Sequence, residues 1–374
     1  MKWFKTNSER VATEITSQMG KPLIQSRREI DTMLDRAESL FKLAPEILKE
    51  DNILIDAHNI QKIQKEPIGL SLLISPWNYP LLTVVGSLIP SLLCGNPVLL
   101  KHSIRTPKVG QQFEEAFKSI GALGVVQHLF LENENLKYVY KLPNLNYVGF
   151  TGSVDGGKNV QKEIAKTGRF INTSFELGGN DAVYVREDAD LDFAVESIVD
   201  GCLYNSGQSC CSVERVLVHA SVYDQFLDKA ADLIAKNYVL GDPFDEKTNI
   251  GPMALPDSPL GLKEVVDDAV NLGAELLLGG SIVNDAEGKG RFFEPTLIKD
   301  CRTDMQVFIR ENFGPLIPVA RVENDDEAIN IINNSEFGLT SAIYSKDYKK
   351  SNELSKRVSI LYHIYIRLTQ ELSS

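Results

Sequence analysis

A thiol on a small polar loop is the feature of this sequence best suited to chemistry. Asn205-Ser206-Gly207-Gln208-Ser209-Cys210-Cys211 follows a helical stretch, and a cysteine there can be reached and have its pKa lowered by neighbouring backbone dipoles, as a nucleophile requires. The alternative is a small buried hydrophobe, the usual fate of cysteine in a globular protein. Phe175-Glu176-Leu177-Gly178-Gly179 ends a predicted strand on a carboxylate. The two glycines let the chain turn and leave Glu176 facing a cleft, which suits a general base, or else Glu176 is a solvated strand-end glutamate. In Ser75-Pro76-Trp77-Asn78-Tyr79-Pro80 two prolines hold the backbone around an amide, which suits an oxyanion donor or an ordinary Asn turn. Phe150-Thr151-Gly152-Ser153, with Gly156-Gly157 close behind, is glycine-rich where a strand meets a helix, so backbone N–H groups can approach a phosphate. It is not GxGxxG, and alone it is a weak signal.

The elements that must hold these loops alternate regularly. Apolar residues recur at helical spacing over residues 8–48, broken at Gly20-Lys21-Pro22, which predicts two helices and a turn. Residues 68–74 form a short apolar run that reads as a buried strand delivering Trp77-Asn78 at its carboxyl end. Helices over 81–93 and 107–120 alternate with strands over 97–101, 125–131, 145–150 and 170–176, with a further helix behind Gly156-Gly157. The fold class is therefore α/β, a doubly wound, Rossmann-like parallel sheet followed by a second α/β domain, with a boundary near Gly178-Gly179. In the second half, helices are predicted over 192–203, 223–235 and 263–272 and strands over 215–218 and 316–322. No repeat or flexible tether separates the halves, and a cleft between them is the expected site.

Composition narrows the function. A chain of 374 residues with 43% hydrophobic and 24% charged residues is expected to fold as an ordinary globule of two domains. A formal charge of -12 argues against a nucleic-acid partner, which needs a basic surface. Five cysteines without a regular framework favour a reducing, cytoplasmic setting. No apolar run reaches the roughly 18 residues of a membrane span, and Met1-Lys2-Trp3-Phe4-Lys5 leads into polar residues, from which no signal-peptide core is expected.

Taken together and in order, Ser-Pro-Trp-Asn-Tyr-Pro, Phe-Thr-Gly-Ser, Phe-Glu-Leu-Gly-Gly, Asn-Ser-Gly-Gln-Ser-Cys and Glu311-Asn312-Phe313-Gly314-Pro315 resemble the aldehyde dehydrogenase superfamily, over roughly residues 8–359. The resemblance implies an NAD(P)-dependent, non-acylating enzyme acting on a small-molecule aldehyde or semialdehyde, with no metal. It makes Cys210 the nucleophile and Cys211 a bystander, Asn78 the oxyanion donor beside the backbone N–H of Cys210, and Glu176 the base that activates water. Because Glu176 is present, hydrolysis is favoured over acyl transfer to coenzyme A. For the cofactor it implies Lys101 at the adenosine ribose, Gly152 and Ser153 at the pyrophosphate, and Glu311 and Phe313 at the nicotinamide ribose and ring, with Trp77 and Leu177 also in contact. Many members carry a glutamate three residues after that lysine, where this chain has Ile104. Ile104 cannot repel a 2′-phosphate, and Lys101 with Ser103 could contact one, so NAD and NADP both stand.

On this reading residues 1–178 are the NAD(P)-binding domain, lacking the family's amino-terminal segment, 179–359 the catalytic domain, and 360–374 an aberrant tail. After Ser359 the family's Gly-x-Val-x-x-Asn strand is replaced by Ile360-Leu361-Tyr362-His363-Ile364-Tyr365-Ile366-Arg367. The expected origin is a frame change, altered splice or damaged gene, and the next reading frame should restore the family's end. Family members are homo-oligomers, and this chain would lack part of the pairing region and of the substrate pocket, with lower stability and solubility. A catalytically silent or unstable relative that keeps the cofactor fold is the alternative.

Overall fold

In the computed structural model, residues 1–55, 58–284 and 291–360 are described, with the backbone alone of 362–365. The chain divides into two compact units, Met1–Met19 with Leu23–Leu177, and Gly20–Pro22 with Gly178–Ser374.

The first unit opens with α1 (Lys2–Thr6), α2 (Ser8–Met19) and α3 (Leu23–Ile47). The apolar stripes Val11, Ile15, Met19 and Ile30, Met33, Leu34, Ala37 are buried, as helical spacing requires. Next comes an antiparallel hairpin, β1 (Asp51–Ile55) and β2 (Ile60–Ile63). Every residue of both strands is exposed, so they lack the half-buried alternation by which a strand is read from sequence.

Beyond the hairpin the expected alternation holds. It runs β3 (Leu70–Ser75), α4 (Leu82–Leu93), β4 (Val98–His102), α5 (Pro107–Lys118), β5 (Val126–His128), α6 (Leu136–Val139), β6 (Leu145–Thr151), α7 (Val154–Ala165) and β7 (Asn172–Glu176). The five strands lie in the order β5-β4-β3-β6-β7, all parallel. The chain builds outward from β3 to β5 and then crosses back to β6, so the strand order reverses between β3 and β6, the place where such sheets bind ligands. Three details differ from expectation: α6 is not among the predicted helices, the strand expected over 125–131 covers only Val126–His128, and the last helix starts earlier. Gly156 and Gly157 lie in the first turn of α7, which begins at Val154, because Ser153 Oγ accepts the Gly156 N–H at 3.1 Å and caps the helix three residues earlier.

The second unit holds β8 (Asp181–Val185), α8 (Leu191–Leu203), β9 (Val213–His219), α9 (Tyr223–Asn237), α10 (Ser258–Asn271), β10 (Glu275–Leu278), β11 (Ile282–Val283), β12 (Phe292–Phe293), β13 (Thr296–Lys299), α11 (Gln306–Ile309), β14 (Leu316–Val322), α12 (Asp325–Asn333), β15 (Thr340–Tyr344), α13 (Tyr348–Ser355) and β16 (Tyr362–Tyr365). Its seven-stranded sheet has the order β10-β13-β14-β9-β8-β15-β16, parallel except for β10 against β13. Side chains alternate strictly between two cores. Ala182, Tyr184, Leu217, Ala320 and Ile343 pack with α10 and α12, and Val183, Val185, Val216, Val218, Val319 and Ala342 pack with α8 and α9. Burial on both faces explains why these strands read as continuous apolar runs.

Within the segment predicted to be an aberrant tail, the backbone of β16 pairs in parallel with β15, from Thr340 against Tyr362 to Ile343 against Tyr365. A β-branched and aromatic run favours that conformation whatever its origin. Position 361 and residues 366–374 of the predicted aberrant tail lie outside the described residues. Among the described residues no helix is long and apolar enough to cross a membrane, and no group of His, Cys, Asp and Glu is placed to hold a metal ion.

Candidate functional site

In the second unit the loop before Cys210 is held in an unusual conformation. Asn205 and Ser206 have φ of 56° and Gly207 of 70°, so three successive residues are left-handed, a conformation that costs roughly 1 kcal/mol or more per non-glycine residue. The motif's own side chains hold it there. Asn205 Nδ2 donates to the Gln208 carbonyl at 3.1 Å and Gln208 Nε2 to the Asn205 carbonyl at 3.0 Å. Gln208 Oε1 accepts the Ala254 N–H at 2.9 Å, and Ser206 Oγ donates to the Gly251 carbonyl at 3.0 Å. A Cβ on Gly207 would lie 2.1 Å from the Gly314 carbonyl oxygen. Only glycine lets these two motifs touch there.

The loop presents Cys210 half-buried and Cys211 exposed. The Cys211 thiol, 3.8 Å from Cys210 Sγ, draws the Cys210 thiol below its ordinary pKa, and the Cys210 backbone N–H adds to the effect. Burial and the charges of Asp181 and Glu311 oppose them.

Two glycines bring the remaining parts of this unit together. A Cβ on Gly178 would meet the Glu311 carboxyl oxygens at 2.2 and 2.5 Å, and one on Gly179 would meet the Cys210 carbonyl oxygen at 2.5 Å. Glu311 Oε1 accepts the Gly179 N–H at 3.1 Å, and burial pushes its pKa up to about 7. Asp181 accepts the N–H of Thr340 at 3.0 Å and its hydroxyl, yet burial raises its carboxyl to about 6. Phe313 is left-handed, with φ of 53°, and half-buried. So Cys210, Gly178-Gly179, Glu311 and Gly314 converge, and the strand-end motif carries Glu176 two residues before this junction.

In the first unit, the other predicted residues lie where parallel strands end. Trp77, half-buried, and Asn78, only 4% exposed, follow β3. Lys101 is buried near the end of β4, its Nζ donates to Asn133 Oδ1, and burial lowers its pKa. Ser103 is half-buried and Ile104 is 50% exposed. Gly152 follows β6 and donates its N–H to the Glu176 carbonyl at 3.0 Å. Glu176 is the exposed last residue of β7. The Phe150 ring and the Leu177 side chain fill the space beside Gly152, Gly156 and Gly157, where any Cβ would lie within 2.8 Å of one of them.

Residues that motif reasoning passed over fix the Trp77-Asn78 loop. Glu29 Oε1 accepts the N–H groups of Leu81 and Leu82 at 2.8 and 3.1 Å. His102 Nε2 lies 2.9 Å from the Pro80 carbonyl oxygen, and its Nδ1 lies 3.0 Å from the Thr106 hydroxyl. That geometry makes Nε2–H the donor to Pro80, and burial lowers the imidazole pKa to about 4, so the ring is neutral. Glu214, equally unforeseen, stands beside Arg215 inside an otherwise apolar strand, Val213-Glu214-Arg215-Val216-Leu217-Val218. A charged pair in such a run was the available signal.

Comparison with known proteins places this geometry in context. The profile described as the aldehyde dehydrogenase family matches residues 1–362. Succinate-semialdehyde dehydrogenase [NADP(+)] of Deinococcus radiodurans is 33% identical over 353 residues, covering 94% of this chain and 72% of the relative. The succinate semialdehyde dehydrogenase [NAD(P)+] of Escherichia coli is 32% identical over 359 residues, covering 96% of this chain and 76% of the relative. The crystal structure of succinic semialdehyde dehydrogenase from Streptococcus pyogenes in complex with NADP+ superposes with a TM-score of 0.90 at 28% identity, covering 97% of this chain and 78% of that one.

Proposed function

Because this chain belongs to the aldehyde dehydrogenase family, we propose that it oxidises an aldehyde to its carboxylic acid through a thiohemiacetal and then a thioester on Cys210, with hydride passing to NAD or NADP. The observation that carries this reading is the Cys210 thiol, half-buried, lowered in pKa and set on a locked left-handed turn. The semialdehydes named for the two bacterial relatives are the substrate class to try first.

The steps follow from the side chains. The Cys210 thiolate adds to the aldehyde carbon, and the carbonyl oxygen becomes an alkoxide that accepts from the Asn78 amide and the Cys210 N–H. Each such donor is worth about 3 to 4 kcal/mol in comparable enzymes. Collapse of the alkoxide releases hydride and leaves the thioester. Glu176 then takes a proton from water, the hydroxide adds to the thioester, and the thiolate departs with the acid as product.

The residues of the first unit fit a dinucleotide. Trp77, Lys101, Ser103, Gly152, Ser153 and Leu177 all follow or close strands at the carboxyl edge of one parallel sheet, around the reversal between β3 and β6. The first turn of α7 offers backbone N–H groups that the helix itself cannot satisfy. Lys101 would exchange Asn133 for a ribose hydroxyl. Glu311 and Phe313 are assigned to the nicotinamide end.

Reduced-cofactor formation from a panel of aldehydes and semialdehydes, with NAD and with NADP, tests the proposal. No turnover from a folded chain that binds cofactor would instead favour a silent relative. Glu176→Gln is expected to lower steady-state turnover by about 10²- to 10⁴-fold while sparing a burst of at most one reduced cofactor per chain. Loss of the burst would remove Glu176 from the hydrolytic step. Ile104→Glu is expected to move the kcat/KM ratio towards NAD by about tenfold, since a carboxylate near a 2′-phosphate costs roughly 1 to 4 kcal/mol. An unchanged ratio would place the 2′ position elsewhere.

A further inference from the structure

Glu214 is the second residue of β9, four residues after Cys210, and is only 4% exposed. A carboxylate so buried ordinarily faces a cation. The adjacent guanidinium of Arg215 is instead directed to backbone carbonyls, those of Asn180 at 3.0 Å, Ile331 at 3.1 Å and Ile332 at 3.4 Å. The Glu214 carboxyl accepts two consecutive backbone N–H groups from the opposite motif, Asn312 through Oε2 and Phe313 through Oε1, the latter at 2.9 Å. Successive amides pointing at one anion form the kind of nest that binds oxyanions, here filled by the protein's own side chain.

A non-glycine residue such as Phe313 keeps a left-handed φ only where its surroundings fix it. Asn312 Nδ2 donates to the Val307 carbonyl at 2.9 Å, and Glu214 holds the N–H groups of Asn312 and Phe313. We propose that Glu214 is a positioning residue, which clamps the Glu311-Asn312-Phe313 turn to the strand that follows Cys210 and so sets where the Glu311 carboxyl and the Phe313 ring meet the nicotinamide end of the cofactor. This rests on the cofactor reading of Glu311 and Phe313 given above.

Protonation modulates the clamp. Burial raises Glu214 to about 8, with Glu311 and Asp181 pushing the same way and the two N–H groups opposing. Among the described residues, the Cys202 thiol on α8 and Arg215 on its own strand also feel its charge. The ionised carboxylate accepts both N–H groups more strongly than the acid does, so the hold tightens as pH rises through about 8.

Glu214→Gln tests this in the full chain, since one amide oxygen remains to accept while the amide NH₂ faces the second N–H. Hydrogen exchange across 311–314, which requires no cofactor, is expected to quicken by about two- to tenfold, the factor for losing one hydrogen bond, while β9 residues Val216 to Val218 stay protected. The dissociation constant for NAD or NADP is expected to rise by a similar factor, and its change between pH 7 and 9 to flatten. A variant that exchanges and binds as the parent does overturns the clamp. A parent that binds neither cofactor overturns the functional reading, with the exchange arm still deciding the clamp. Should Glu214→Gln not fold, Glu214→Asp keeps the charge but shortens the reach, and unchanged exchange there overturns the proposal equally.

Discussion

Replacing Cys210 by serine is expected to abolish aldehyde-dependent reduction of NAD or NADP, by about 10⁴-fold or more, the scale on which removing a nucleophile acts. A serine hydroxyl stays protonated where this thiol, drawn down by Cys211, ionises. The two buried thiols of the second unit cannot take its place. Cys202 and Cys301 are buried, and burial pushes Cys202 well up and Cys301 up to about 12. Absorbance of the reduced cofactor measures the loss, and mass analysis after brief alkylation should find Cys210 labelled first. A Cys210→Ser chain that keeps a tenth of the parent's turnover would sink the covalent mechanism. Cys211→Ala is expected to move the alkylation midpoint of Cys210 to higher pH, because the neighbouring thiol's hydrogen bond is the largest cause of the lowered value.

The second large effect is on stability, and the two units lean in opposite directions with pH. In the second unit, burial raises Asp181 to about 6, Glu311 to about 7 and Glu214 to about 8. A carboxyl whose folded pKa is raised binds its proton more tightly when folded. Its contribution is fully present below the unfolded value near 4 and is lost as pH rises through the folded one. For Glu214, fully buried, the loss is of the order of 5 kcal/mol, at about 1.4 kcal/mol per pH unit.

In the first unit, His102 has its pKa lowered to about 4. Its neutral ring contributes stability above the unfolded value near 6.5, lost as pH falls towards 4, by roughly 3 kcal/mol. With three raised acids against one lowered imidazole, the thermal midpoint followed from pH 4 to 9 should therefore fall as pH rises, and Glu214→Gln should flatten that fall. A midpoint that rises steadily to pH 9 in the parent would contradict this assignment of buried acids.

The sequence by itself determined the alternation of strands and helices, because burial on one or both faces of each element imposes a period that local residues must obey. It also determined the family, through short motifs whose residues do local work. Asn205 and Gln208 lock their own turn, and Ser153 caps the helix that follows it. The exposed hairpin of β1 and β2 escaped because nothing buries either face. Only the tertiary structure decided that Glu214 grips Phe313 across 99 residues, that His102 holds Pro80, that Gly207 meets Gly314, and that Glu311 rests on Gly178-Gly179. Each joins segments far apart in the chain. A buried polar group must find its partner wherever packing brings one, and no local periodicity records where that is.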